Sequence, residues 1–112
     1  MMIEISSKKQ KDATIVSVKG RMDALSSPDL EKHLEALMET GVKILILNLE
    51  ELNYISSAGL RSILIIAKKL KEKEGRISLV CLTQAVKEIF VVSGFSSLFP
   101  IYDSLDLALS ES

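Results

Sequence analysis

The alternation of apolar and polar positions divides the chain into segments of two periods. Ala13 to Lys19 alternates, with Thr14, Val16 and Val18 on one face and Ile15 and Ser17 on the other, which predicts a strand with unequal faces. Ile3 to Ser7 predicts a weaker first strand, and Lys8 to Asp12 suits a hairpin connection. Gly20 to Ser26 reads as a loop. The period then lengthens. Leu30, Leu34, Leu37 and Met38 recur at helical spacing behind Ser27-Pro28-Asp29. There Ser27 is placed to cap, Pro28 to take the first helical position and Asp29 to meet the positive end of the dipole. Gly41 supplies a stop.

Ile44-Leu45-Ile46-Leu47 is apolar without alternation, as a central parallel strand buried on both faces would be. After a short polar turn, Leu60, Ile63, Leu64, Ala67 and Leu70 form the stripe of a helix that follows Ser57 and ends near Gly75. Arg76 to Leu82 predicts the next strand. Thr83 caps a short helix carrying Val86, Ile89 and Phe90, stopped near Gly94. Phe99 to Tyr102 predicts an edge strand, where Pro100 is tolerated. Ser104 to Ser110 predicts a terminal helix. The order β-β-α-β-α-β-α-β-α implies an α/β domain with a mixed, mostly parallel sheet flanked by helices. No linker, repeat or low-complexity stretch interrupts it, so residues 1–112 are expected to form a single domain.

Composition narrows the function classes. A chain of 112 residues is long enough for one core, and 47% hydrophobic with 26% charged residues is ordinary for a soluble protein. The net charge of -1 argues against non-specific nucleic-acid or membrane-surface binding, which needs a basic excess. No apolar run is long enough for membrane insertion. Met1-Met2-Ile3-Glu4 lacks the basic and apolar regions of a signal peptide, and the lone Cys81 has no internal disulfide partner, so a cytoplasmic location is expected.

Candidate chemistry is sparse. One histidine, His33, and one cysteine, Cys81, stand on different elements and do not make a metal site. His33 reads as a surface residue on a helix flank and Cys81 as inert packing in a strand. Ser57 has Gly59 two positions after it but Ile55 two before, half of a nucleophile elbow, and His33 precedes it in the chain. No phosphate-binding glycine loop is present, and Glu50 and Glu51 read as solvated surface. The sequence thus predicts no enzyme and calls for no cofactor. Asp23 is placed at the C-terminal end of the second strand, where α/β sheets put function, although by its residues alone it reads first as an ordinary turn aspartate. Ile65 falls among Arg61, Ser62, Lys68 and Lys69 on the polar side of its helix; a lone exposed Ile is ordinary, and beside a serine-bearing turn it is also available to anchor a partner.

Taken together, Leu47-Asn48-Leu49 through Ser56-Ser57-Ala58-Gly59-Leu60, Gly20-Arg21-Met22-Asp23, and Ala85 to Phe90 followed by Ser93-Gly94 resemble the bacterial anti-sigma factor antagonists, a family of small STAS domains. The resemblance covers nearly the whole chain. It implies a mixed sheet with flanking helices and a switching role. In that role the unphosphorylated protein binds an anti-sigma factor, often itself a serine kinase, and frees a sigma factor. Phosphorylation breaks the complex and a serine phosphatase resets it. The phosphoacceptor position falls on Ser57. Ser56 stands where the family usually has Asp and becomes a second candidate acceptor, and Ala58 stands where a second Ser is common. The implied partner surface comprises Asp23, Ser56, Ser57, Ala58, Gly59, Arg61 and Ile65. Alternative roles are a STAS interaction module of a transporter or sensory complex and a small nucleotide-binding protein.

Overall fold

The computed structural model describes residues 3–111; Met1, Met2 and Ser112, at the ends of the expected domain, lie outside the described residues. The chain opens with a hairpin. β1 (Glu4–Gln10) and β2 (Ala13–Met22) pair antiparallel, Glu4 opposite Lys19 and Gln10 opposite Ala13. β2 runs further than the alternation predicts and absorbs Gly20, Arg21 and Met22, leaving a shorter loop.

The extension exists because β2 has partners along its length. β3 (Ile44–Asn48) lies parallel to Thr14–Ser17, and an additional strand, β4 (Leu52–Ile55), lies parallel to Gly20–Met22. β4 corrects the expected element order, which has a turn at this place. Four residues preceded by Glu50 and Glu51 carry too little alternation to announce a strand, and pairing with β2 is what makes them one. The register between β2 and β4 shifts at Gly20/Arg21, where Gly20 adopts φ 111°, a conformation with little steric cost only for glycine. At the end of β3 the Asn48 side-chain oxygen accepts from the Glu50 N–H at 3.1 Å and turns the chain into β4.

β5 (Arg76–Val80) pairs parallel with β3, and β6 (Ile101–Tyr102) with β5. The sheet order is β1-β2-β3-β5-β6, with β4 beside β2. It is the mixed, mostly parallel sheet that the sequence implies. Helices α1 (Ser27–Glu39), α2 (Ser57–Glu72) and α3 (Gln84–Val92) bring Leu34, Ile63 and Phe90 into one core with Val16, Leu47 and Leu79. The short α4 (Leu105–Ser110) closes a second core, Ala108 and Leu109 meeting Ile15, Ile46 and Val80. β3 is therefore buried from both sides, as its unbroken apolar run predicts.

Four local readings need correction. Helix α1 begins at Ser27, with Ser26 at the capping position, and the Ser27 hydroxyl donates to the Asp23 carbonyl. Ser62 belongs not to the polar side of α2 but to a buried seam, 3% exposed, where its hydroxyl donates to Glu31 Oε1 at 2.8 Å. The helical stripe shows which face meets the sheet; it does not show that α1 lies alongside. Cys81 stands just past β5, half-buried at φ 60°, not within a strand. Its environment pushes the thiol pKa up, burial first and the Glu50 carboxylate second. His33 is half-buried, and its Nε2 is shielded from solvent without a hydrogen-bond partner among the described residues.

Candidate functional site

Parallel pairing sets Met22, the last residue of β2, opposite Ile55, the last of β4. The segments that leave these strands therefore start side by side, at the carboxyl edge where open α/β sheets gather their binding groups. One is the loop Asp23–Ser26 into α1. The other is Ser56, the cap of α2. The Ser56 N–H donates to the Met22 carbonyl at 2.8 Å and ties the two together.

The Asp23 loop is organised by its own side chains. Asp23 Oδ1 accepts from the N–H of Leu25 at 3.0 Å and of Ser26 at 3.1 Å. The Asp23 N–H donates to Ser26 Oγ at 2.9 Å, and the Ser26 hydroxyl lies 2.8 Å from the Arg21 carbonyl that it donates to. These contacts hold the Asp23 carboxyl below its ordinary value, chiefly through the Ser26 N–H, with Leu25 N–H and the Arg21 guanidinium contributing less and partial burial opposing them. Fixing the loop leaves Leu25 projecting at 90% exposure.

At the adjacent turn the two serines divide their tasks. Ser56 has the extended backbone of a helix cap, φ -94° and ψ 175°, and its Oγ accepts from the Gly59 N–H at 3.2 Å. Ser57 is the first residue of α2; its hydroxyl is exposed and makes no hydrogen bond among the described residues. Gly59 is buried because α2 rests on the strand ends. A Cβ there would lie 2.7 Å from Ile55 Cγ1 and 3.0 Å from Met22 Cγ. The helix can approach this closely, and hold Ser57 at the carboxyl edge, only with glycine at that point.

Ser57 stands on a ridge between two grooves. One, of about 430 Å³, runs between the starts of α1 and α2 and is lined by Ser27, Glu31, Ser57, Ala58, Arg61 and others. The second, of about 510 Å³, runs between the α2 turn and α3, lined by Tyr54, Ser56, Ser57, Glu88, Ile89 and Val92 among others. The structure thus brings together Asp23, Ser56, Ser57, Ala58 and Arg61. Gly59 lies beneath them as packing. Ile65 is two turns along α2, half-buried, and lines neither groove.

Three features of this edge go unread in the sequence. The Arg21 guanidinium lies over the Tyr54 ring at 4.3 Å from its centroid, a contact that exists because β4 pairs with β2. Leu25 protrudes because Asp23 folds its own loop. Val91 and Val92 are exposed on α3, and Val92 lines the α3 groove; an apolar pair beside the Val86-Ile89-Phe90 stripe was the available signal.

No acid or base hydrogen-bonds to the Ser57 hydroxyl, and the described residues contain no group of three or more side chains placed to hold a metal. The site displays a hydroxyl between two grooves instead of activating it. The chain belongs to the STAS domain family, whose pattern matches residues 4–108. It is 38% identical over 94 residues, 84% of this chain and 81% of the relative, to BtrV of Bordetella bronchiseptica, a candidate anti-sigma factor antagonist. An anti-sigma factor antagonist from Mycobacterium paratuberculosis superposes with a TM-score of 0.89 at 27% identity, covering 97% of this chain and 92% of that one. The anti-sigma factor antagonist SpoIIAA in its unphosphorylated form shares the fold, with a TM-score of 0.81 at 19% identity over 96% and 95% of the two chains. No helix among the described residues is long and apolar enough to cross a membrane.

Proposed function

We propose that this chain is an anti-sigma factor antagonist controlled by phosphorylation of Ser57. Unphosphorylated, it binds an anti-sigma factor that is also a serine kinase and so releases a sigma factor in the cytoplasm; the kinase transfers the γ-phosphoryl group of ATP to the Ser57 hydroxyl, and a phosphatase removes it. The observation that supports this most directly is the division between the serines: Ser56 is committed to capping Gly59, while Ser57 is exposed and unbonded. The names of the relatives support the partner class.

The switch has a simple physical basis. A phosphate adds about −1.5 to −2 charge near neutral pH. In the first turn of α2, where backbone N–H groups lack helical partners, that charge is tolerated and the fold survives. Pressed into a protein interface, the same charge must be desolvated or repelled, and about 1.4 kcal/mol already changes affinity tenfold. The test is affinity capture from native lysate with wild-type, Ser57→Ala and Ser57→Asp baits, followed by incubation with ATP and site mapping by mass spectrometry. Wild type and Ser57→Ala should retain a kinase-like anti-sigma factor, Ser57→Asp should not, and phosphate should map to Ser57. Phosphate confined to Ser56, or undiminished capture by Ser57→Asp, refutes the proposal.

A further inference from the structure

Resting on the reading of Ser57 as the phosphoacceptor, we infer that Arg61 pairs in cis with the phosphate carried on Ser57 Oγ, in the groove between α1 and α2. Ser57 and Arg61 are one helical turn apart and line the same groove. Residues at this spacing have Cβ atoms about 5–6 Å apart, and helical side chains lean toward the helix start, so the Arg61 stem is directed back along α2 toward Ser57. Arg61 is exposed and makes no ion pair or hydrogen bond through its side chain among the described residues. Its guanidinium therefore gives up no existing partner to meet a phosphate, and its fork of donors matches phosphate oxygens.

The two grooves are unequal in charge. Among the described residues, Arg61 is the one cationic side chain lining either of them. The α3 groove offers Glu88 as its charged group, which repels a dianion. The α1 groove also holds a carboxylate, Glu31, hydrogen-bonded to the Ser62 hydroxyl, so its lining pairs one negative charge with the positive charge of Arg61, whereas the α3 groove lining has Glu88 without a cation. A phosphate on Ser57 thus turns toward α1 and Arg61, and away from α3. Phosphorylation then does two things at once. It adds negative charge at the ridge, and it withdraws a cation from the surface that a partner meets.

The test uses the full chain with phosphoserine installed at position 57 during translation, so it needs no kinase. The second ionisation of the phosphate is followed by phosphorus NMR across pH. A close opposite charge lowers an acid's pKa by about 1–3 units, less where solvent screens it, so the wild-type midpoint should lie about half a unit or more below that of Arg61→Gln. Arg61→Lys should restore most of the shift because it restores the charge. Arg76→Gln, at the opposite end of the parallel strands, should leave the midpoint alone. Equal midpoints in wild type and Arg61→Gln, or an equal change in Arg76→Gln, would overturn the inference. Failure of a kinase to modify Ser57 would sink the proposed function and leave this result standing.

Discussion

The Ser56 N–H donates to the Met22 carbonyl at 2.8 Å, so the cap of α2 is fastened to the end of β2. Together with the pairing of β2 and β4, this bond joins the turn bearing Ser57 and the loop bearing Asp23 into a single surface, although nothing in their local sequences links them.

Ser56 and Ser57 are expected to fail in opposite ways. Ser56→Ala removes the cap on Gly59 and should cost about 1 kcal/mol of stability while phosphate still enters at position 57. Ser57→Ala should abolish modification with little change in the melt. Thermal denaturation paired with phosphopeptide mapping checks both; loss of phosphate in Ser56→Ala with an unchanged melt would reverse the assignment.

Gly59→Ala tests the seat of α2. Alanine favours helix by up to about 1 kcal/mol over glycine. The new methyl, however, meets Ile55 Cγ1 at 2.7 Å and Met22 Cγ at 3.0 Å, and overpacking of that kind costs about 1–3 kcal/mol. Packing should win, giving a net loss of about 1–2 kcal/mol in denaturant titration. A stabilised variant would show that the helix can lift off the strand ends freely.

Acid should loosen the Asp23 loop selectively. The folded-state pKa of Asp23 is lowered from its ordinary 3.8, first by the Ser26 N–H. A lowered folded value means that the stabilisation is complete above the ordinary value and is lost as pH falls through the folded one. Comparing melting temperatures of wild type and Asp23→Ala across pH, the gap should be constant above pH 5 and narrow below the ordinary carboxylate range. A gap independent of pH would show that the carboxylate charge has no part in holding the loop.

Ile65→Asp should weaken binding of the anti-sigma partner about tenfold where the contact surface continues from the Ser57 turn along the outer side of α2, since apolar side chains buried in an interface carry much of its energy. Ile65 is half-buried and is not among the side chains packed against the main core, so the melt should move little. Calorimetric binding with a parallel melt separates the outcomes. A large fall in melting temperature would assign Ile65 to the α1–α2 contact, and unchanged affinity would place the partner on the grooves alone.

Much of the molecule was legible in the residues themselves. The apolar run at Ile44–Leu47, the stripe of α1 and the cap Thr83 depend on neighbours two to four positions away, so the local pattern of residues registers them directly. The serine pair ahead of Gly59-Leu60 was visible for the same reason. Tertiary structure alone decided the rest. β4 is a strand because β2 continues past a glycine shift to pair with it; Ser62 is buried because α1 lies against α2; Arg21 meets Tyr54 because their strands are in register. Each joins residues distant in the chain, and only closure of the whole core brings such residues together. The grooves beside Ser57 follow from that closure: the chain by itself determines which hydroxyl starts the helix, and the packing of α1 and α3 around it determines what that hydroxyl faces.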